Sequence, residues 1–237
     1  MPTSERPAAD KARGEARRSR REPLSRERVL ATALEIVDAD GVEALTMRGL
    51  ARELGCTAMA LYRYAESRDA LLDDLVESVM DELVSAPVAD EWTAELRRMA
   101  HGFRALAVAH PRMVPLLVTR PLATPLGLRP LGTLRPLETL LGLLIDDGFS
   151  PDDALHVYRA FVGLLNGHVL TELQEVIADP EESDALLRLG LNRLPPREFP
   201  HVRALASELT TYDGATELDK GLDMLIAGLQ RQLRVGG

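Results

Sequence analysis

Two groups of side chains in this 237-residue sequence could do chemistry, and their spacing separates them. The first is the usual catalytic inventory. His101, His110, His156, His168 and His201 include no pair at i,i+4 spacing and no HExxH-type cluster, so no metal site is expected. There is no glycine-rich phosphate loop, and Gly163-x-x-x-Gly167 reads as close helix packing. Asp146-Asp147 and Asp152-Asp153 flank helix ends and read as solvated caps. Cys56, the only cysteine, has no acid–base partner near it in sequence and fits a reducing cytoplasm. This inventory points away from an enzyme, and no cofactor is expected. The second group is compact. Thr46, Arg48, Thr57, Tyr62, Arg63, Tyr64 and Arg68 bring hydroxyl and guanidinium groups into one short stretch, and such groups hydrogen-bond to phosphate oxygens and base edges.

The elements that must hold this stretch are helices. Ser25 caps a first helix, with Val29, Leu30, Ala33, Leu34, Ile36 and Val37 at helical spacing, and Gly41 stops it. Thr46 caps a short helix with Leu50, Ala51 and Leu54 inward, ended by Gly55. A turn through Gly55-Cys56-Thr57 leads to a second short helix reaching Tyr64. Ser67 then caps a longer helix, roughly Arg68 to Val84. Further on, Glu91 to His110 reads as a helix with Trp92, Leu96, Met99, Phe103 and Leu106 on one stripe. Residues 111–136 hold six prolines, five of them followed by leucine, so short helical pieces and turns are expected to about Thr133. Pro136 suits the first turn of a helix running to Asp147. Ser150 caps a helix reaching about Ala178, residues 179–199 read as a loop, and helices near Pro200–Thr211 and Ala215–Leu233 finish the chain.

Composition agrees with an all-α fold. Apolar residues make up 46% but aromatics only 4%, so the core is aliphatic, and strand-like alternation is missing. No apolar run approaches the ~18 residues of a membrane helix, and the charged N-terminus lacks a signal-peptide apolar region. No membrane partner is expected, and the cytoplasm is the expected location. The net charge of −9 hides an asymmetry. Residues 1–68 hold 13 basic and 11 acidic groups, and residues 1–28 alone nine basic against five acidic. Residues 69–237 hold 15 against 26. A local basic surface suffices to meet phosphates. Residues 1–24 read as a flexible basic arm, either a solubilising tail or a DNA-contacting segment. Residues 25–70, which carry the hydroxyl and guanidinium groups, form one expected domain, and 71–237 a second.

Thr46 to Leu72, TMRGLARELGCTAMALYRYAESRDALL, resembles the helix-turn-helix of the tetracycline repressor family: Ala51 and Leu54, the Gly55 turn, Leu61-Tyr62 and Ala70-Leu71-Leu72 stand at the family's offsets. The second half resembles the tetracycline-binding branch of that family. Thr119-Arg120-Pro121, Gly148-Phe149-Ser150, LTELQE at 170–175, Tyr212-Asp213-Gly214-Ala215 and the run from Gly221-Leu222 to Gly228-Leu229 carry the likeness. The resemblance implies a helical N-terminal three-helix domain, a C-terminal ligand-binding and dimerisation domain, and a repressor released from a palindromic double-stranded operator by a small-molecule effector. The competing reading is a helical ligand-binding protein or enzyme that binds no operator.

A recognition helix of about eight residues would span ~12 Å, close to the width of the major groove. Thr57, Ala58, Met59, Tyr62 and Arg63 face outward on it. Ala58 and Met59 suit thymine methyls, with plain packing as the alternative for Met59, and Arg63 suits guanine or phosphate. Thr46, Tyr62, Tyr64 and Arg68 are expected on phosphates, with a core position as the alternative for Tyr64. By resemblance, Arg48 points at the groove and reads a base. Leu218, Leu222, Leu225, Ile226 and Leu229 give the last helix an apolar seam for a homodimer.

The resemblance also implies where effectors bind, and here the sequence departs from it. That branch ligates magnesium through a histidine, and in the matching stretch, Leu116 to Pro121, a leucine stands at its place whichever way a one-residue gap is set. An orienting asparagine falls at Met99. Phe103 matches an aromatic pocket position, and Glu172 an acidic residue near the metal. A lone carboxylate is a weak magnesium site. The expected pocket is therefore apolar and magnesium-independent. Met99, Phe103, Leu116, Leu117, Leu140, Leu144 and Leu165 would line it, with Arg120, Asn166, His168 and Glu172 as polar contacts. The alternative is that these leucines simply fill the core.

Overall fold

The structure, a computed structural model, describes residues 23–85, 87–177, 189–209 and 211–236. Residues 1–22 of the expected basic arm and 179–188 of the expected loop lie outside the described residues, as does Ala178 at the expected end of the helix before it. Among the described residues all regular structure is helical, as expected. Two compact units divide the chain, the first ending at Ser78 and the second beginning at Val79.

In the first unit, α1 (Arg26–Asp40) starts at Ser25, whose Oγ accepts from the Arg28 N–H at 3.2 Å. Its inner stripe of Val29, Leu30, Ala33 and Val37 is buried. A tight turn over Val42–Ala44 leads to α2 (Met47–Leu54), α3 (Ala58–Leu61) and α4 (Arg68–Ser85), whose last turns, from Val79, belong to the second unit. Leu45, Leu50, Leu54, Leu61, Leu71, Leu72 and Leu75 are buried with the α1 stripe. Burying a leucine contributes about 1.5–3 kcal/mol. This packing holds in place helices as short as α2 and α3, which would be marginal alone.

The second unit holds α5 (Trp92–Ala109), α6 (Val114–Ala123), α7 (Leu131–Asp146), α8 (Pro151–Ile177), the short α9 (Pro200–Ala204) and α10 (Ala206–Leu209), and α11 (Gly214–Gly236). The long α8 packs against α5, α6, α7 and α11. Trp92 and Phe149 meet edge to face, ring centroids 5.3 Å apart, near the starts of α5 and α8. Glu95, which the sequence did not single out, is fully buried on α5. Arg98 donates to it twice, at 2.5 and 2.8 Å, and the Ala89 N–H once, at 2.9 Å. Burial pushes this carboxyl up, but the Arg98 and Ala89 hydrogen bonds and the guanidinium charge outweigh it and leave the carboxyl lowered. Arg98 also donates to the Leu83 carbonyl at 3.0 Å, which ties the end of α4 to α5.

The proline-rich stretch is more helical than expected. Pro115 lies in the first turn of α6, where a missing N–H costs little, but Pro121 lies inside that helix. Pro136 is interior to α7, which begins at Leu131 rather than at the proline. An interior proline costs about 3 kcal/mol. Burial of Leu117, Val118, Leu140 and Leu144 on the same helices offsets it. The helix expected near Pro200–Thr211 is split into α9 and α10, and residues 189–193 of the expected loop are helical.

Candidate functional site

In the first unit, the outward surface is built by two caps and a glycine turn. Thr46 Oγ1 accepts from the Gly49 N–H at 3.0 Å and starts α2. Gly55 ends it in the left-handed region at φ 66°, ψ 30°, and the Cys56 N–H reaches back to the Ala51 carbonyl at 2.9 Å. A Cβ is disfavoured in that conformation, so glycine at 55 sets the angle between α2 and α3. Thr57 Oγ1 then caps α3 through the Ala60 N–H at 3.3 Å. Leu61, 1% exposed, anchors α3 to the core. The helix is shorter than expected: four residues of α-helix, then hydrogen-bonded turn over 62–64. The tightened Tyr64 N–H to Leu61 carbonyl bond, at 2.8 Å, is the local reason.

That anchoring turns a face outward. Met59 is 77% exposed and Tyr62 48%. Thr46, Arg48, Thr57 and Arg63 are also exposed, and Ala58 is half-buried. The guanidinium groups of Arg48 and Arg63 make no ion pair among the described residues, so both charges are available to an anion. Two of the residues expected on phosphates are turned inward instead. The Tyr64 hydroxyl donates to the Leu24 carbonyl at 2.5 Å. Arg68 donates through Nε to the Leu45 carbonyl and through Nη2 to the Val42 carbonyl, both at 2.7 Å. Arg68 thus clamps the turn that positions α2, a task that sequence offsets did not signal because its acceptors are main-chain carbonyls. Cys56 is half-buried with its thiol free.

The second unit encloses a cavity of about 120 Å³. Of the expected residues, Met99, Phe103, Leu117, Leu165 and Asn166 line it. Leu140 and Leu144 do not: both are 0% exposed and belong to solid core. The inner stripe of α7 runs Gly132, Pro136, Leu140, Leu144, and the cavity meets only its first half, at Thr133, Pro136 and Leu137. Leu116 and Arg120 of α6 also fall outside the lining, which takes Leu117, Val118 and Pro121 instead. His168 and Glu172 lie farther along α8, beyond Asn166, and are likewise not lining residues. Arg129, Thr133 and Tyr158, which the sequence did not single out, also line the cavity. Tyr158 shares a face of α8 with Leu165 and was within reach of periodicity. Arg129 was not, because the path of the proline-rich segment is set by packing.

Glu172 has a different role from the one its offset implied. It is buried and held bidentately by Arg104, at 3.0 and 2.6 Å. Glycine at 214 permits this, since a Cβ there would come within 2.1 Å of the Glu172 carboxylate. His168 Nε2 lies 3.5 Å from the same carboxylate and makes no hydrogen bond among the described residues. Burial pushes the His168 imidazole down, and the Arg104 charge adds to that against the opposing pull of Glu172. The donor set does not fit magnesium. The cavity lining has no carboxylate or imidazole, and the Glu172 carboxylate is neutralised by Arg104.

The expected dimer seam on α11 is divided. Leu218, Leu222 and Ile226 are 1%, 0% and 6% exposed, buried within their own protomer, where α11 packs on α5 and α8. Their assignment to a subunit interface is corrected. Periodicity finds an apolar stripe but not what covers it. Leu225 and Leu229 are half-buried, and Met224 beside them is 71% exposed. Gly221 packs against Leu164 of the same chain.

Comparisons with known proteins cover both units. Residues 29–75 match the family model described as bacterial regulatory proteins, tetR family. Residues 85–233 match the tetracyclin repressor-like C-terminal domain. The chain is 31% identical over 215 residues to the class C tetracycline repressor protein of Escherichia coli, covering 88% of this chain and 91% of that one. It is similar to the Streptomyces coelicolor TetR family protein ActR in complex with actinorhodin, with TM-score 0.73, 28% identity and 89% and 99% coverage. It is also similar to a substituted TetR from Acinetobacter baumannii AYE in complex with minocycline, with TM-score 0.63, 25% identity and 89% and 98% coverage.

Proposed function

This chain belongs to the tetracycline repressor family of ligand-responsive, DNA-binding transcriptional regulators, and on that premise we propose that it is a homodimeric repressor, not an enzyme, released from a palindromic operator by a largely hydrophobic effector that needs no magnesium. The observation that carries the effector class is the cavity, walled by Met99, Phe103, Leu117 and Leu165 and lacking any acidic or imidazole side chain. The actinorhodin and minocycline complexes of its structural relatives support a small-molecule effector.

At the DNA, Arg48 and Arg63 supply free guanidinium groups for bases or phosphates. Thr46, Thr57, Ala58, Met59 and Tyr62 form the surface around them. One such helix makes too few contacts for specificity, so two half-sites about 34 Å apart are read by a dimer. The open faces suited to dimerisation are Gly163, Gly167 and Leu170 on α8 and Met224 and Leu225 on α11. No helix among the described residues is long and apolar enough to cross a membrane. The cytoplasm, where an operator is found, is the proposed location. Release requires the effector to favour the DNA-incompetent state. A shift from 1:99 to 99:1 takes about 5.5 kcal/mol of differential binding, which a buried apolar molecule can supply.

Two measurements test the reading. Selection of bound sequences from random duplexes should return an inverted repeat, and Arg48→Ala should relax one base pair of each half-site, costing about 1–3 kcal/mol. Equal losses on operator and random DNA would overturn the reading role of Arg48. Calorimetry with tetracycline should show no tight binding with or without magnesium; tight, magnesium-dependent binding would overturn the effector class.

A further inference from the structure

The cavity holds a single charged residue. Arg129 lies in its lining, and no aspartate or glutamate does. Its Nε donates to the Thr124 carbonyl at 3.0 Å, which fixes the orientation of the guanidinium. Its two terminal nitrogens make no hydrogen bond or ion pair among the described residues. This sets Arg129 apart from three other half-buried arginines of the same unit: Arg97 pairs with Asp223, Arg98 with Glu95 and Arg104 with Glu172. A cation facing an apolar cavity is unfavourable unless an anion or acceptor joins it there.

A second donor stands near enough to feel its charge. Tyr158 lines the cavity, and its hydroxyl has no hydrogen-bond partner among the described residues. Burial pushes this phenol up against the opposing Arg129 charge, so it stays protonated near neutral pH and can donate. Thr133, by contrast, spends its hydroxyl proton on the Pro130 carbonyl at 2.8 Å. Asn166 adds a neutral amide to the lining, and the remaining walls, among them Phe103, Leu117, Phe161 and Leu165, are apolar.

We propose that Arg129 and Tyr158 form the seat for an anionic oxygen group, so that the effector is an apolar, ring-sized molecule carrying one acidic group. This rests on the reading of the cavity as the effector site. The anion is matched by two donors where a neutral analogue would leave the guanidinium unpaired, so the pair selects acids over their neutral counterparts.

Two fluorescent dyes of the same skeleton provide the test: anilinonaphthalenesulfonate, which is anionic, and phenylnaphthylamine, which is neutral. Both are titrated into the full chain, with folding of each variant checked by circular dichroism melting. The wild type should prefer the sulfonate. Arg129→Gln should weaken the sulfonate about 10- to 100-fold, the worth of a charge-assisted hydrogen bond, and leave the neutral dye within about twofold. Arg129→Lys should restore part of the loss, and Tyr158→Phe should weaken only the sulfonate. Preference of the wild type for the neutral dye, or an Arg129→Gln effect that is absent or equal for both dyes, would overturn the proposal. Leu165→Trp separates the two levels. If it blocks both dyes while Arg129→Gln is silent, the anion seat falls and the cavity stands. If it blocks neither, or the wild type binds neither, the cavity itself is not the site.

Discussion

Replacing Arg104 by methionine removes the partner of a buried carboxylate and leaves the shape of the site nearly intact. Side-chain exposure is 9% for Glu172 and 25% for Arg104, and the two are joined by hydrogen bonds of 3.0 and 2.6 Å. Breaking a fully buried pair costs about 3–5 kcal/mol, because the surviving charge is left uncompensated. Since Arg104 is partly solvated, about 2–3 kcal/mol is expected at pH 7.5. The double variant Arg104→Met/Glu172→Leu should recover most of the loss, since no lone charge remains. Urea unfolding at fixed protomer concentration and pH 7.5 measures all three proteins. A single variant within about 0.5 kcal/mol of wild type, or a double variant no more stable than the single one, would refute the reasoning.

Arg68→Ala should lower stability by about 1–3 kcal/mol through loss of its bonds to the Val42 and Leu45 carbonyls, and leave the salt dependence of DNA binding nearly unchanged. A flattened salt slope with unaltered stability would return Arg68 to the phosphates. Leu225→Arg, on the half-buried flank of α11, should give monomers by light scattering and abolish operator binding; a dimeric, operator-bound variant would place the interface elsewhere. His168 is buried with its imidazole lowered, beside Glu172 and Arg104 on α8 and α5 and near Glu217 on α11. The unfolded chain therefore binds the extra proton, and stability should decline as pH falls below about 6.5, a slope that His168→Gln should reduce in acid unfolding titrations.

Local signals were sufficient where each element's boundary depends on its own residues. Ser25, Thr46 and Thr57 accept cap hydrogen bonds from N–H groups three residues on, and Gly55 adopts the conformation that ends α2, so the helix-turn-helix was legible from residue type and spacing alone. Its outward face followed, because burying Leu61 on a single turn leaves Met59 and Tyr62 no inward direction. Through the family resemblance, a leucine at the histidine position and the methionine at 99 likewise argue against a metal-bound effector, since ligand chemistry depends on side-chain type.

Tertiary structure decided the matters in which several elements compete for one side chain. Arg68 could have met phosphate, but two main-chain carbonyls from another segment lie within 2.7 Å of it. Glu172 could have faced the cavity, but Arg104 from α5 reaches it and Gly214 from α11 makes room. Leu140 and Leu222 have the same apolar pattern as cavity or interface residues, and only the packing of whole helices assigned both to solid core. Periodicity specifies which face of a helix avoids water, whereas what covers that face depends on the path of every neighbouring element. In this chain that path includes the proline-rich approach to α7, which carries Arg129 into the cavity.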